Sequence, residues 1–114
     1  MRILTAEDVR AAVDMRAAID AVRAGFIALS LGKARVPLRS AIETPGGVLL
    51  TMPAYIEGAP VSSVKVVSVS PDNPSRGLPT IYAAVLVADA QTGICCEICN
   101  ICQRMHNFMC FKNS

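Results

Sequence analysis

The feature that most limits how this chain can fold is a short apolar run, residues 64–69, that contains one lysine. Valines occupy both sets of alternating positions around Lys65, which is typical of a strand that is covered on both faces. Lysine is seldom buried without a partner. We therefore expect Lys65 either to meet an anion, such as a ligand carboxylate, or to lie at a solvated end or edge of the sheet.

The first third of the chain has the periodicity of helices. Thr5 and Asp14 can each cap a helix, because their side-chain oxygens accept hydrogen bonds from the free N–H groups of a first turn. After Asp14, apolar residues recur every three or four positions, at Met15, Ile19, Val22, Phe26 and Leu29. This stripe predicts a helix that packs one face on a core and ends near Gly32.

After Lys33 the period changes to that of strands. Besides the strand of Lys65, the pattern predicts strands over 36–43, 48–55 and 81–89, a hairpin connection at 44–47 and the start of another at 90–93. Two N-terminal helices followed by a run of strands predict an α+β fold, with the helices packed on a mostly antiparallel sheet.

Length and composition exclude several classes of protein. A chain of 114 residues forms one domain. The formal charge of +2 is scattered and lacks aromatic interleaving, so no nucleic-acid partner is expected. The longest apolar run, 81–88, is too short to span a membrane, and the N-terminus does not have the pattern of a secretory signal. We expect a soluble, cytoplasmic protein.

All five cysteines lie after residue 93. This change in cysteine content along the chain predicts two parts, a domain over 1–93 and a cysteine-rich tail over 94–114. The tail spacing suggests soft metal ligands for zinc or an iron–sulfur cluster, with candidates Cys96, Cys99, Cys102, His106 and Cys110. The alternative, which we favour, is an unstructured or aberrant tail without metal.

Arg39 is a second cation within an apolar segment, since it follows Leu38 and precedes Ile42. An arginine can bind a carboxylate through two parallel hydrogen bonds. Arg39 and Lys65 on neighbouring strands could therefore form an anion site for a small acid. A solvated strand arginine is the simpler interpretation of Arg39 taken alone.

Six short stretches carry a resemblance to a known family, because they come in that family's order and spacing. They are Ile3–Val9, Val36–Ser40, Met52–Tyr55, Val64–Val67, Gly77–Thr80 and Leu86–Gly93. In these stretches the chain resembles the ornithine cyclodeaminase/mu-crystallin family over residues 1 to about 93.

The resemblance implies a function in amino acid metabolism. Members are dimeric NAD(P)-dependent enzymes or binding proteins, which convert ornithine to proline with loss of ammonia, or reduce ketimines. It implies that Arg39 binds the substrate carboxylate, and that Lys65 binds at the reacting centre and acts in catalysis. Met52 and Thr80 match positions near the family's pocket. The implied partners are a small amino or imino acid and a second copy of the chain.

The chain also departs from the family after Gly93, where we expect no further apolar strand. No G-x-G-x-x-G occurs, and the pair Gly46–Gly47 falls in a hairpin. We therefore expect an incomplete substrate-binding and dimerisation domain without a dinucleotide-binding domain, inactive alone. The alternatives are a small Cys/His metal-binding module and a self-associating interaction fragment.

Overall fold

The computed structural model describes residues 1–100, in which two α-helices and seven strands occur. In chain order the elements are β1 (Arg2–Leu4), α1 (Ala6–Ala12), α2 (Met15–Ser30), β2 (Ala34–Arg35), β3 (Ser40–Thr44), β4 (Gly47–Ile56), β5 (Val61–Val69), a 3₁₀ turn (Asn73–Arg76), β6 (Ile81–Asp89) and β7 (Cys95–Asn100).

The strands form one sheet in the order β1-β7-β6-β5-β4-β2, and β3 pairs with β4 beside β2. The pair β1–β7 is parallel and the other pairs are antiparallel. The α+β class with a mostly antiparallel sheet is therefore confirmed. No helix within residues 1–100 is long and apolar enough to cross a bilayer.

Both predicted helix caps are present. The Thr5 hydroxyl accepts the Asp8 N–H at 3.2 Å, and the Asp8 carboxylate accepts the Thr5 N–H at 2.8 Å, so α1 begins with a reciprocal capping box. The Asp14 carboxylate accepts the Ala17 N–H at 2.8 Å. Gly32, with φ 73°, follows α2 in the left-handed conformation that often ends a helix.

The hairpin between β3 and β4 needs glycine for a steric reason. A Cβ atom on Gly47 would lie 1.9 Å from the backbone oxygen of Val69, on the next strand. At Gly46 the nearest atom would be the Ser70 hydroxyl oxygen, at an ordinary 3.8 Å. The start of β4 can therefore approach β5 this closely only because residue 47 has no side chain.

The packed centre of the sheet is small, and α2 is not part of it. Among residues 1–100, the apolar side chains that are less than a tenth exposed are Val67 at 9% and Ala83 at 4%, which face each other on β5 and β6. The prediction that the α2 stripe packs on a core is wrong for this part of the chain. Its five apolar residues are 50–65% exposed, and within residues 1–100 the main contact of α2 with the sheet is at the short edge strand β2.

The sheet also continues past the predicted boundary at residues 93 and 94. We expected no strand after Gly93, yet β7 pairs with β6 and lies parallel to β1. The turn before it is fixed by Asp89, whose carboxylate accepts the N–H groups of Gln91 at 3.0 Å and Thr92 at 2.7 Å. Cysteine packs as a small apolar residue, so a cysteine-rich segment can complete a sheet. Residues 101–114 lie outside the described part.

Candidate functional site

The strand register gives Lys65 two direct neighbours. Met52 on β4 and Val85 on β6 lie opposite Lys65, and residues paired in this way present their side chains on the same face. Cys99 on β7 lies opposite Val85, and Leu4 on β1 lies beside Cys99. We call the series Met52, Lys65, Val85, Cys99 and Leu4 the Lys65 row.

Arg39 lies at the β4 end of this row. Pairing between β3 and β4 ends at Ser40 and Thr51, so Arg39, the residue before Ser40, is next to the Lys65 row in the chain but is not paired with β4. Arg39 is exposed and precedes β3. Two such long side chains can converge on one carboxylate.

The break in pairing near Arg39 has a simple cause. β2 pairs with the end of β4, from Tyr55 to Ile56, and β3 pairs with its start, from Gly47 to Thr51. Between them stands Pro53, which has no N–H group to donate to a strand on that side. The crossing segment 36–39 contains a second proline, Pro37. The chain therefore leaves the ladder after Arg35 and rejoins it at Ser40, and the Arg39 side chain is exposed.

Lys65 is half-buried, and its charge has no partner among residues 1–100. The ion pairs in this part of the chain join Arg2 to Glu97 and Arg23 to Asp20. No side-chain nitrogen or oxygen in the described part is sealed from solvent without a hydrogen bond, so the Lys65 ammonium reaches water. This ammonium is available to an anionic ligand.

Thr80 lies apart from the Lys65 row. It immediately precedes β6, five residues before Val85, which is roughly 16 Å along a strand. Its carbonyl accepts the Ser70 N–H at 2.8 Å and so closes the loop between β5 and β6. The structure pairs Met52 with Lys65 and leaves Arg39 exposed just before β3. The roles of Arg39, Met52, Lys65 and Thr80 in a pocket stay predictions.

The far end of the row is uncharged at neutral pH. Burial raises the pKa of the Cys99 thiol above its ordinary value, and the negative charge of Glu97 raises it further. Glu97 itself is paired with Arg2. Val85 and Cys99 were not among the predicted site residues. Only the pairing of β5 with β6 and of β6 with β7 identifies them, and the sequence does not fix that register.

The metal prediction is only partly covered by the described residues. Cys95, Cys96 and Cys99 are free thiols. Within residues 1–100, no three His, Cys, Asp or Glu side chains come close enough together to hold a metal ion. The remaining candidates, Cys102, His106 and Cys110, lie outside that part, so zinc binding stays untested.

An apolar cleft of about 340 Å³ lies on the other face of the sheet. Pro53, Val64 and Leu86 form the row next to that of Lys65 and therefore point the opposite way. The cleft is lined by Arg35, Pro37, Pro53, Ala54, Tyr55, Ser62, Ser63, Val64, Leu86 and Ala88. The Arg35 guanidinium lies 5.9 Å from the centre of the Tyr55 ring. This cleft is separate from the two-cation site.

The glycine pair at 46 and 47 does not form a dinucleotide-binding loop. Gly46 and Gly47 belong to the hairpin between β3 and β4 and not to a strand-to-helix loop that could hold a pyrophosphate. The absence of a cofactor site from the chain stays a prediction.

Three comparisons place these features among known proteins. The profile of the ornithine cyclodeaminase/mu-crystallin family matches residues 1–102. An alanine dehydrogenase from Archaeoglobus fulgidus is 37% identical over 91 residues, which are 80% of this chain and 28% of the relative.

Two solved structures are similar in fold as well as in sequence. The Delta(1)-pyrroline-2-carboxylate reductase of Thermococcus litoralis, in complex with NADH and L-proline, is 37% identical with a TM-score of 0.82, over 88% of this chain and 32% of that one. An archaeal alanine dehydrogenase dimer with bound NAD is 33% identical, also with a TM-score of 0.82, over 88% of this chain and 31% of that one. This chain spans less than a third of the length of these relatives.

Proposed function

Since this chain belongs to the ornithine cyclodeaminase/mu-crystallin family, we propose that the face of the sheet around Lys65 binds the carboxylate of a small amino or imino acid. The observation that carries the proposal is the register, in which Met52 lies opposite Lys65, and Thr51, the residue before Met52, lies opposite Ser40, the residue after Arg39. No carboxylate among the described residues pairs with Lys65. Lys65 and the nearby Arg39 could therefore bind one small anion together.

The two cations have different tasks in this proposal. The Arg39 guanidinium is planar and binds a carboxylate with two parallel hydrogen bonds, which fixes the orientation of the acid. The Lys65 ammonium has three donors on a flexible stem. It can hold the other side of the carboxylate or donate a proton to an imine nitrogen near it. Met52 lies between them and supplies an apolar floor that adapts in shape.

The reaction class that we propose for this site is the interconversion of an amino acid and an imino acid. The names of the relatives support this class, because they describe enzymes that act on alanine or on pyrroline-2-carboxylate. The two solved structures contain NADH or NAD. NAD(P)-dependent imine reduction and conversion of ornithine to proline with loss of ammonia are the two specific forms that the family resemblance implies.

The binding step can be tested on the 114-residue chain itself. L-proline titrated into the labelled protein, followed by NMR, should give saturable shifts around Met52 and Lys65. Arg39→Ala and Lys65→Ala should each weaken binding by about tenfold or more, because each removes a charged hydrogen-bond partner. Arg35→Ala is the matched control, since Arg35 is an arginine near the same sheet edge but outside the row, and it should leave binding unchanged.

Saturable binding that survives both substitutions would refute the proposal, and so would the absence of binding by any small carboxylate. An equal loss in Arg35→Ala would show that general positive charge, and not the row, attracts the acid. A selective loss in Arg39→Ala and Lys65→Ala supports the site.

Self-association through the sheet is a further part of the proposal. β2 and β3, which pair with different parts of β4, form one edge of the sheet. There Ile42 is 64% exposed and Leu38, in the crossing segment, is 96% exposed. Exposed apolar edges favour pairing with another chain, and the archaeal alanine dehydrogenase is described as a dimer. Sedimentation at several concentrations should show mass above that of a monomer, reduced by Ile42→Lys. A monomer at every concentration would refute this part.

A further inference from the structure

The apolar cleft of about 340 Å³ lies on the face of the sheet opposite Lys65, and one cation, Arg35, lines it. We propose that this cleft is a second binding site, which takes a monocarboxylic acid with a flat apolar body and no ammonium group. The carboxylate contacts Arg35, and the apolar body lies on Val64 and Leu86. This site does not depend on the function proposed for Lys65, because the two sets of side chains point to opposite faces of the sheet.

The cleft exists because strand pairing along β4 is interrupted. β2 pairs with β4 at Tyr55 and Ile56, and β3 pairs with it only as far as Thr51. Pro53 lies in the gap between them, and Pro37 lies in the segment that crosses from β2 to β3. Both prolines line the cleft. Since proline has a fixed φ angle, this border of the cleft is stiff.

The floor of the cleft is apolar. In one row of side chains Val64 on β5 lies opposite Leu86 on β6, and in the next row Ser62 lies opposite Ala88. Ser62 and Ala88 are small, so they leave space beside the larger Val64 and Leu86. These four side chains have one hydroxyl group and no charge. They therefore favour a ligand whose body is apolar.

The volume of the cleft sets the size of the ligand. Sites for small molecules have volumes of about 300–1,000 Å³, so this cleft lies at the lower end of the range. An apolar cavity of about 150 Å³ already accommodates benzene. The cleft therefore has room for two fused aromatic rings, whereas acetate would leave most of it filled with water.

Arg35 supplies the charge that selects an acid. Its guanidinium lies 5.9 Å from the centre of the Tyr55 ring, a distance at which a cation is attracted to the face of an aromatic ring. This contact holds the guanidinium beside the cleft. The ion pairs within residues 1–100 do not include Arg35, so its N–H groups can donate to the carboxylate of a ligand. An ammonium group would be repelled there.

The test is an NMR titration of the labelled 114-residue chain with 2-naphthoate, and with 2-naphthamide as an uncharged probe of the same shape. 2-Naphthoate should give saturable shifts at Val64 and Leu86, and these shifts should remain when L-proline is present in excess. The amide should bind about fivefold to tenfold more weakly, because it lacks the charged hydrogen bonds to Arg35.

Matched variants separate charge from shape. Arg35→Gln should weaken 2-naphthoate by about fivefold to tenfold and leave 2-naphthamide unchanged. The control is Arg39→Gln, which removes the same charge from an exposed arginine that does not line the cleft and should change neither affinity. Ala88→Leu fills the cleft and should weaken both probes by about tenfold or more. Val87→Leu adds one carbon on the opposite face and should have no effect on either probe.

The possible failures are distinguishable. Absence of saturable shifts at Val64 and Leu86 overturns this inference and leaves the proposal for Lys65 intact. Equal binding of the acid and the amide, or equal losses in Arg35→Gln and Arg39→Gln, also overturns it. Displacement of 2-naphthoate by L-proline does the same, because both acids would then share one site. If L-proline does not bind but 2-naphthoate behaves as expected, the proposed function falls and this inference stands.

Discussion

The central strands β4 to β6 and helix α2 have equally clear apolar patterns, but they have opposite surroundings. β5 pairs with β6 through nine successive residues, and the described apolar residues with the least exposure, Val67 and Ala83, lie there. The apolar stripe of α2 is at least half exposed along its length. An apolar pattern therefore identifies the face of an element that favours burial, but it does not show whether anything packs there. The central strands have neighbouring strands on both sides, whereas α2 has no comparable neighbour among the described residues.

The largest effect is expected where β4 begins. Gly47→Ala would place a methyl group into the Val69 backbone oxygen, so β4 and β5 would have to separate locally. We expect a loss of about 3 kcal/mol or more in the free energy of unfolding. Urea denaturation followed by circular dichroism measures it.

Gly46→Ala provides the control for this effect, because a Cβ there meets only the Ser70 hydroxyl at an ordinary distance. It should change stability by less than about 1 kcal/mol. Equal losses in both variants would show that the hairpin as a whole, and not the close approach at Gly47, limits the sheet.

The next effect compares the two regions with the same chemical change. Val67→Ala removes two buried methyl groups beside Ala83 and should cost about 2 kcal/mol. Val22→Ala removes the same groups from the α2 stripe, where Val22 is 56% exposed. Its cost should stay within about 0.5 kcal/mol, because alanine also has the higher helix propensity.

Val22→Ala can also break the comparison. A loss as large as that of Val67→Ala, and one that grows with protein concentration, would mean that another copy of the chain covers the α2 stripe in solution. Thermal unfolding at two concentrations separates these outcomes.

The features that the sequence predicted are those with local causes. The caps at Thr5 and Asp14, the end of α2 near Gly32 and the hairpin at 44–47 each depend on a few adjacent residues. The features that the sequence could not predict depend on residues that are far apart in the chain. β7 needs both β6 and β1 beside it, and the exposure of α2 depends on what does or does not pack against that helix.

The candidate site is divided in the same way. Lys65 stood out because one charge interrupts an apolar strand, and Arg39 because of its apolar neighbours. Their roles, with those of Met52 and Thr80, came from the family resemblance and remain predictions. Val85 could not be found in advance, since a shift of one residue between β5 and β6 would replace it with a neighbour that points to the other face.

A smaller effect should separate α2 from the sheet. Asp14→Ala removes the carboxylate that accepts the Ala17 N–H, which should destabilise the first turn of α2 by about 1 kcal/mol. Because α2 meets the sheet only at β2, hydrogen exchange should accelerate in α2 and stay unchanged in β5. Faster exchange in both would show that the helix and the sheet unfold as one unit.

The smallest effect concerns the turn that leads into β7, and it depends on pH. Hydrogen bonds from the Thr92 N–H, the Thr92 hydroxyl and the Gln91 N–H hold the pKa of the Asp89 carboxyl below its ordinary value. A lowered folded-state pKa means that the stabilisation is complete above the unfolded-state pKa, about 3.9. It is then lost as the pH falls through the folded-state value.

The protection of the β7 amides against exchange, corrected for the pH dependence of the intrinsic exchange rate, should therefore fall on acidification below about pH 4 in the native chain. In the D89N variant it should change little over the same range, because the amide oxygen still accepts hydrogen bonds and carries no titrating charge. Asp72→Asn is the control, since the Asp72 side chain does not cap the turn that follows it, and this variant should keep the native acid response. An acid response in D89N equal to that of the native chain would place the titrating group elsewhere, and β7 would then depend on strand pairing with β6 and β1 more than on its turn.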